Sequence, residues 1–167
     1  MYGLRWGLGC GASRSRAVRS LTVRWIASYA VAGIVFGLLD FVWLSRLGRG
    51  IYEQRLGSML ADSPNMIAAL MFYAVYLVGI TYFAVLPSLD ADSIGKAAVA
   101  GALLGLVAYA TWNLTNLAVV RDWPVSLTPI DMAWGTLATC ATSVVTTLIV
   151  RATPWAAQRP RAVGGER

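Results

Sequence analysis

The chain has 167 residues, of which 57% are hydrophobic and only 13% charged, with a mean hydropathy of +0.61. An ordinary soluble domain carries about 45–50% apolar and about 25% charged residues, so there is too little charge here to coat a water-exposed surface. A soluble globular enzyme is all but excluded, and the formal charge of +6 must be explained within a membrane protein. Charge-free stretches locate the apolar excess: 27 residues between Asp62 and Asp90, 24 between Lys96 and Arg121, and 19 between Asp131 and Arg151. A fourth, Trp25 to Ser45, is broken only by Asp40. A spanning helix needs about 20 such residues, because the hydrocarbon core is about 30 Å thick and each residue rises about 1.5 Å. The sequence therefore predicts an all-α integral membrane bundle of four transmembrane helices, with spans at about 25–45, 64–86, 97–120 and 131–150.

In chain order, residues 1–24 hold five arginines and no acid, and read as a basic disordered arm on the cytoplasmic side. The first span has the outline of a signal peptide, but its apolar run is too long and no small-residue cleavage site precedes Arg46. It is expected to stay as an uncleaved anchor. In the loop that follows, Tyr52, Leu56, Met59 and Leu60 share one helical face, which predicts a short helix lying in the interface. The second span opens on Ser63 as N-cap with Pro64 at the first helical position, and Pro87 is expected to stop it. An acidic loop with Asp90 and Asp92 leads into the third span, and Arg121-Asp122-Trp123-Pro124 makes the next turn. Thr128 and Asp131 have capping-box spacing at the start of the fourth span, and residues 151–167 form a basic cytoplasmic tail.

Orientation follows from the cations. Ten of the fourteen Lys and Arg residues fall on the side shared by the two termini and the second loop, and four on the other. Both termini are therefore expected in the cytoplasm, with the protein multi-pass in a bacterial inner membrane. Trp25 and Trp155 should belt the inner interface, and Trp43, Trp123 and Trp134 the outer one. Topology and anionic lipid heads absorb the positive charge, so nucleic acid is not an expected partner. The absence of His removes imidazole-bound haem, His-ligated zinc or copper and a histidine base, and no cofactor or metal is expected. Cys10 in the arm and Cys140 in a span are not placed to form a disulfide.

Polar residues inside the spans are the informative ones. Gly33, Gly37 and Asp40 share a face of the first span, while Gly101, Gly105, Tyr109, Asn113 and Asn116 follow one face of the third. Small residues let backbones approach, so these two faces are expected to meet; Gly135, Thr139, Ser143 and Thr147 form a third stripe. Ser63-Pro64 recurs as Thr128-Pro129, and the Gly33/Gly37 spacing as Gly101/Gly105, a faint repeat that suggests two parallel helix hairpins. Asp40, Trp43, Tyr73, Tyr109, Asn113, Asn116, Asp131 and Trp134 all fall in the outer half and form a candidate ligand pocket. Two readings stand for Asp40: it accepts hydrogen bonds from Asn113, Asn116 or a Trp indole, or it contacts a ligand. Asp131 reads first as a helix cap at the positive dipole end.

The assembled residues resemble the bacterial membrane family known as domain of unknown function 2177. The resemblance rests on Leu39-Asp40-Phe41-Val42-Trp43-Leu44, Pro64-Asn65 with Phe72-Tyr73, Tyr109-Ala110-Thr111, Leu114-Thr115-Asn116-Leu117-Ala118 and Asp131-Met132-Ala133-Trp134-Gly135. It implies a bundle of four spans and supplies no activity or cofactor. Residues 1–20 lie outside it, and Trp112-Asn113 stands where a Tyr-Asp pair is expected. Three functions compete: a lipid- or metabolite-binding protein with an outer-half polar pocket, an accessory subunit of a membrane complex, and a small transporter acting as a homo-oligomer. The lack of His and of any Ser or Cys nucleophile motif weighs against an enzyme. Membrane lipids, a second copy or another membrane protein are the expected partners.

Overall fold

Four long helical segments run up and down through the structure, a computed structural model that describes residues 9–153, with side chains from Ser20 onward. Helix α1 (Gly9–Val42) passes through one π-helical turn, Trp43–Leu47, into α2 (Gly48–Leu56). Helix α3 (Met66–Gly79) continues through a second π-helical turn, Ile80–Val85, into α4 (Leu86–Asp90). The long helices α5 (Ile94–Val119) and α6 (Leu127–Arg151) complete the bundle. Ser20–Met59, Met66–Asp90, Ile94–Val119 and Leu127–Arg151 are each long and apolar enough to cross a membrane.

Helix ends depart from the sequence reading in four places, each for a local reason. Helix α1 starts at Gly9, so residues 9–24, expected as an irregular arm, are helical. Once a span has nucleated, extension through proline-free Arg and Ala residues adds a hydrogen bond per residue without a further nucleation cost. Asn65, not Ser63, caps α3, its side chain accepting from the amides of Ile67 and Ala68 at 3.1 Å each. Pro87 does not stop the second span but is the second residue of α4, because the π-helical turn before it shifts the hydrogen-bond register. Ser88 Oγ donates to the Ala84 carbonyl at 2.6 Å there. Finally, α6 begins at Leu127, which puts Thr128 and Asp131 inside the helix and not in a capping box. A short helix does form in this segment as α2, but Gly57 ends it at φ +49, leaving Met59 and Leu60 exposed beyond it.

Helix α6 is the centre of the packing. Both α5 and α1 lie against it, and α5 does so most extensively, so the glycine faces of α1 and α5 do not meet as expected. Without a hydrophobic drive between helices in lipid, the closest approach falls where small side chains oppose small side chains. That condition holds along the α5/α6 seam: a Cβ on Gly101 would lie 2.5 Å from Ser143 Oγ, and one on Gly105 would lie 2.8 Å from Thr139 Oγ1. A Cβ on Gly135 would enter the Tyr109 ring. Thr139, Ser143 and Thr147 are buried and return their hydroxyl protons to carbonyls four residues back in α6, at 2.7–2.8 Å. Gly33 instead faces Leu77 of α3, and a Cβ on Gly37 would meet nothing within 4 Å. The two hairpins thus use their repeated glycines differently, and Ser63-Pro64 precedes its helix whereas Thr128-Pro129 lies within one.

A core of Ala32, Phe36, Leu77, Ile80, Val85, Leu89, Ala138 and Val150 fills the remainder. Opposite α2, charge pairs close the bundle: buried Arg24 meets Asp90 at 2.5 Å, and Arg151 pairs with Asp92. Of the expected tryptophan belt, Trp25 stacks on Tyr29 with centroids 5.3 Å apart. Trp43 and Trp134 stack face to face on each other at 4.4 Å and 7°, a contact that joins the π-helical turn after α1 to α6. Trp155 and residues 1–8 and 154–167 of the basic ends lie outside the described residues.

Candidate functional site

Every spanning segment sends a polar or aromatic side chain to the end of the bundle that carries α2. Asp40 is near the end of α1, and Trp43 opens the π-helical turn after it. Tyr73 and Tyr76 come from α3, Tyr109 and Asn113 from α5, and Asp131 and Trp134 from the first turns of α6. Asp40, 8% exposed, accepts a hydrogen bond from the Tyr73 hydroxyl. Asp131, 7% exposed, accepts on one oxygen from Tyr52 Oη at 2.5 Å and on the other from Asn113 Nδ2 at 2.7 Å. Trp43 Nε1 in turn donates to Tyr52 Oη at 3.3 Å. The chain of donors runs from the π-helical turn through α2 to α6.

This arrangement replaces two expectations. Asp131 does not cap its own helix; it faces the bundle and ties α2 and α5 to α6. Asp40 takes its hydrogen bond from Tyr73, since Asn113 is engaged by Asp131, and Asn116 Nδ2 is buried without a partner. The sequence gives the depth of these residues along their helices but not their azimuth around the bundle, and it was azimuth that decided the pairing.

Tyr52, Tyr76 and Trp112 belong to the site but were not among the residues expected there. Tyr52 carried a signal of its own, a phenol on the apolar face of a short helix, because a buried Tyr hydroxyl normally finds a partner. Gly48 lets it approach: a Cβ there would lie 2.7 Å from Trp43 Nε1 and 3.0 Å from the Tyr52 ring. Tyr76 meets Thr139 Oγ1 at 2.7 Å, and it is the donor, because the Thr139 proton goes to the Gly135 carbonyl.

Two cavities flank α3. The first, about 550 Å³, is lined by Ala68 and Phe72 of α3, Ala108, Tyr109 and Trp112 of α5, and Asp131. The second, about 520 Å³, lies between α1 and α3, where Gly37 leaves space beside Tyr73 and Leu77. Both exist because the first turns of α3 stand away from their neighbours: Met66, Ile67, Leu70 and Met71 are all at least 60% exposed. The first cavity joins a buried carboxylate to aromatic walls; the second is bordered by glycines and by the Tyr73 phenol.

The pairing is open to a double-mutant cycle. Asp40→Leu and Tyr73→Phe should couple by about 1 kcal/mol in detergent melting, as contacting residues do, whereas Asp40→Leu and Asn116→Leu should be additive. Equal coupling in both cycles would refute the Asp40–Tyr73 assignment.

No curated protein and no solved structure matches the chain. One family model does, described as predicted membrane protein (DUF2177), and it matches residues 25–148. That range takes in the two middle spanning segments whole and most of the first and fourth, with Asp40, Tyr52, Tyr73, Asn113 and Asp131 inside it, and the chain belongs to this family of predicted membrane proteins.

Proposed function

We propose that the protein binds a membrane lipid, with the headgroup at the Asp131 end of the cavity between α3 and α5. The observation that carries this reading is the cavity's construction: polar at Asp131, walled by Phe72, Tyr109 and Trp112, and bordered by side chains on the outside of the bundle. Phe72 is 44% and Trp112 60% exposed, so the mouth opens sideways, where acyl chains are the solvent. Its volume lies in the range of about 300–1,000 Å³ typical of small-molecule sites. Native mass spectrometry after mild detergent extraction should find lipid at fixed stoichiometry on the wild type. Ala108→Phe, which fills the cavity, should lose that lipid and remain folded. Capture of a second membrane protein with no bound lipid would instead favour the accessory-subunit reading.

The same reading places the α2 end outward and both termini in the cytoplasm of an inner membrane, supported by the ten-to-four division of cations. Single cysteines at Ser58 and Ser126 should react with an impermeant maleimide in intact cells, and one at Ala91 should not. Labelling at Ala91 alone would reverse the orientation.

A further inference from the structure

We infer that the headgroup taken by this cavity is an organic ammonium, so that the lipid carries an ethanolamine- or choline-type head; the inference rests on the lipid-binding reading above. Among the six lining residues the one charged side chain is Asp131, and no Lys or Arg is present to balance a head of net negative charge. Each Asp131 oxygen takes a single donor, from Tyr52 or Asn113, and a carboxylate oxygen can accept two. Asn113 lies behind the carboxylate, fully buried, with an Oδ1 that has no partner. The amide orientation is fixed, because Nδ2 faces two acceptors, Asp131 at 2.7 Å and the Tyr109 carbonyl at 3.1 Å.

The remaining polar potential of the cavity belongs to its aromatic lining, Phe72, Tyr109 and Trp112. Aromatic faces attract cations within about 6 Å of the ring centre, tryptophan most strongly, and quaternary ammonium recognition uses this combination. A primary ammonium brings three donors and no acceptor, which suits a carboxylate with an acceptor position to spare on each oxygen. An anionic glycerol-type head would bring negative charge to a buried carboxylate with no compensating cation. Depth agrees: Asp131 lies four residues into α6, about 6 Å along its axis, whereas Ala108 lies 11 residues from the end of α5, about 16 Å in. The head is thus received near the interface, with apolar wall beneath it for a chain.

The test titrates delipidated protein with phosphatidylethanolamine, phosphatidylcholine and phosphatidylglycerol of identical chains, read by native mass spectrometry. The two ammonium lipids should bind about tenfold more tightly than phosphatidylglycerol, and Asp131→Asn should bring the three within about twofold. Trp112→Leu, at an exposed position safe for folding, should weaken the ammonium lipids about threefold and leave phosphatidylglycerol unchanged. Phosphatidylglycerol binding as tightly as the others in a manner lost in Ala108→Phe would overturn the ammonium assignment while leaving a lipid site standing. No lipid binding to the wild type would overturn both. Binding of free ethanolamine or choline without any of the lipids would likewise reject the lipid as the source of the ammonium.

Discussion

Asp131→Leu is expected to lower the stability of the detergent-solubilised protein by on the order of 3 kcal/mol, because it strands two donors at once. Tyr52 Oη and Asn113 Nδ2 both lose the carboxylate, and the tie between α2 and the bundle goes with it. Asp131→Asn keeps one acceptor oxygen and should cost less than half as much. Tyr52→Phe should loosen α2 without melting the helices, read as faster proteolysis between Gly48 and Gly57 at nearly unchanged helix content. If Asp131→Leu melted with the wild type, the carboxylate would be solvated and not buried. Its 7% exposure in the structure argues for the larger effect.

The seam between α5 and α6 should be the least tolerant surface in the molecule. Gly135→Leu pushes a side chain into the Tyr109 ring, and Gly105→Leu meets the Gly135 carbonyl and Thr139. Overpacking of a filled interface typically costs about 1–3 kcal/mol, and more where backbone opposes the new atoms. Both variants should therefore lose most of the folded protein recovered by size-exclusion chromatography. Gly37→Ala is the matched control. A Cβ there meets nothing within 4 Å, and alanine gains up to about 1 kcal/mol of helix propensity over glycine. Equal damage from Gly37→Ala and Gly135→Leu would mean that the glycine stripes of α1 and α6 pack alike, contrary to the structure.

That asymmetry is not encoded in residue spacing. Three charge-free stretches of 19 to 27 residues and a fourth broken only by Asp40 are enough to place four spans, since the length of an apolar helix and the thickness of a bilayer are one-dimensional quantities. The depth of Asp40, Tyr73, Asn113 and Asp131 is legible in the same way, by counting residues from a span's end at a fixed rise. Those depths put all four residues in the same half of the bundle. The pairing of helices was not legible. Gly33/Gly37 and Gly101/Gly105 have identical spacing, and only the tertiary structure set the second pair against the Gly135, Thr139 and Ser143 stripe while leaving Gly37 open.

The same holds for the carboxylates. In sequence Asp131 stands three residues after a threonine, as a cap would, and its helix could have begun at that point. In the structure Leu127 begins α6, which turns Asp131 toward Tyr52 and Asn113. Tyr52 itself comes from α2, 79 residues away along the chain. The sequence by itself determined which segments span and how deep each polar group lies. Which groups meet depends on the rotation of each helix about its axis, and that was decided by tertiary packing, most tightly by the fit of small residues between α5 and α6.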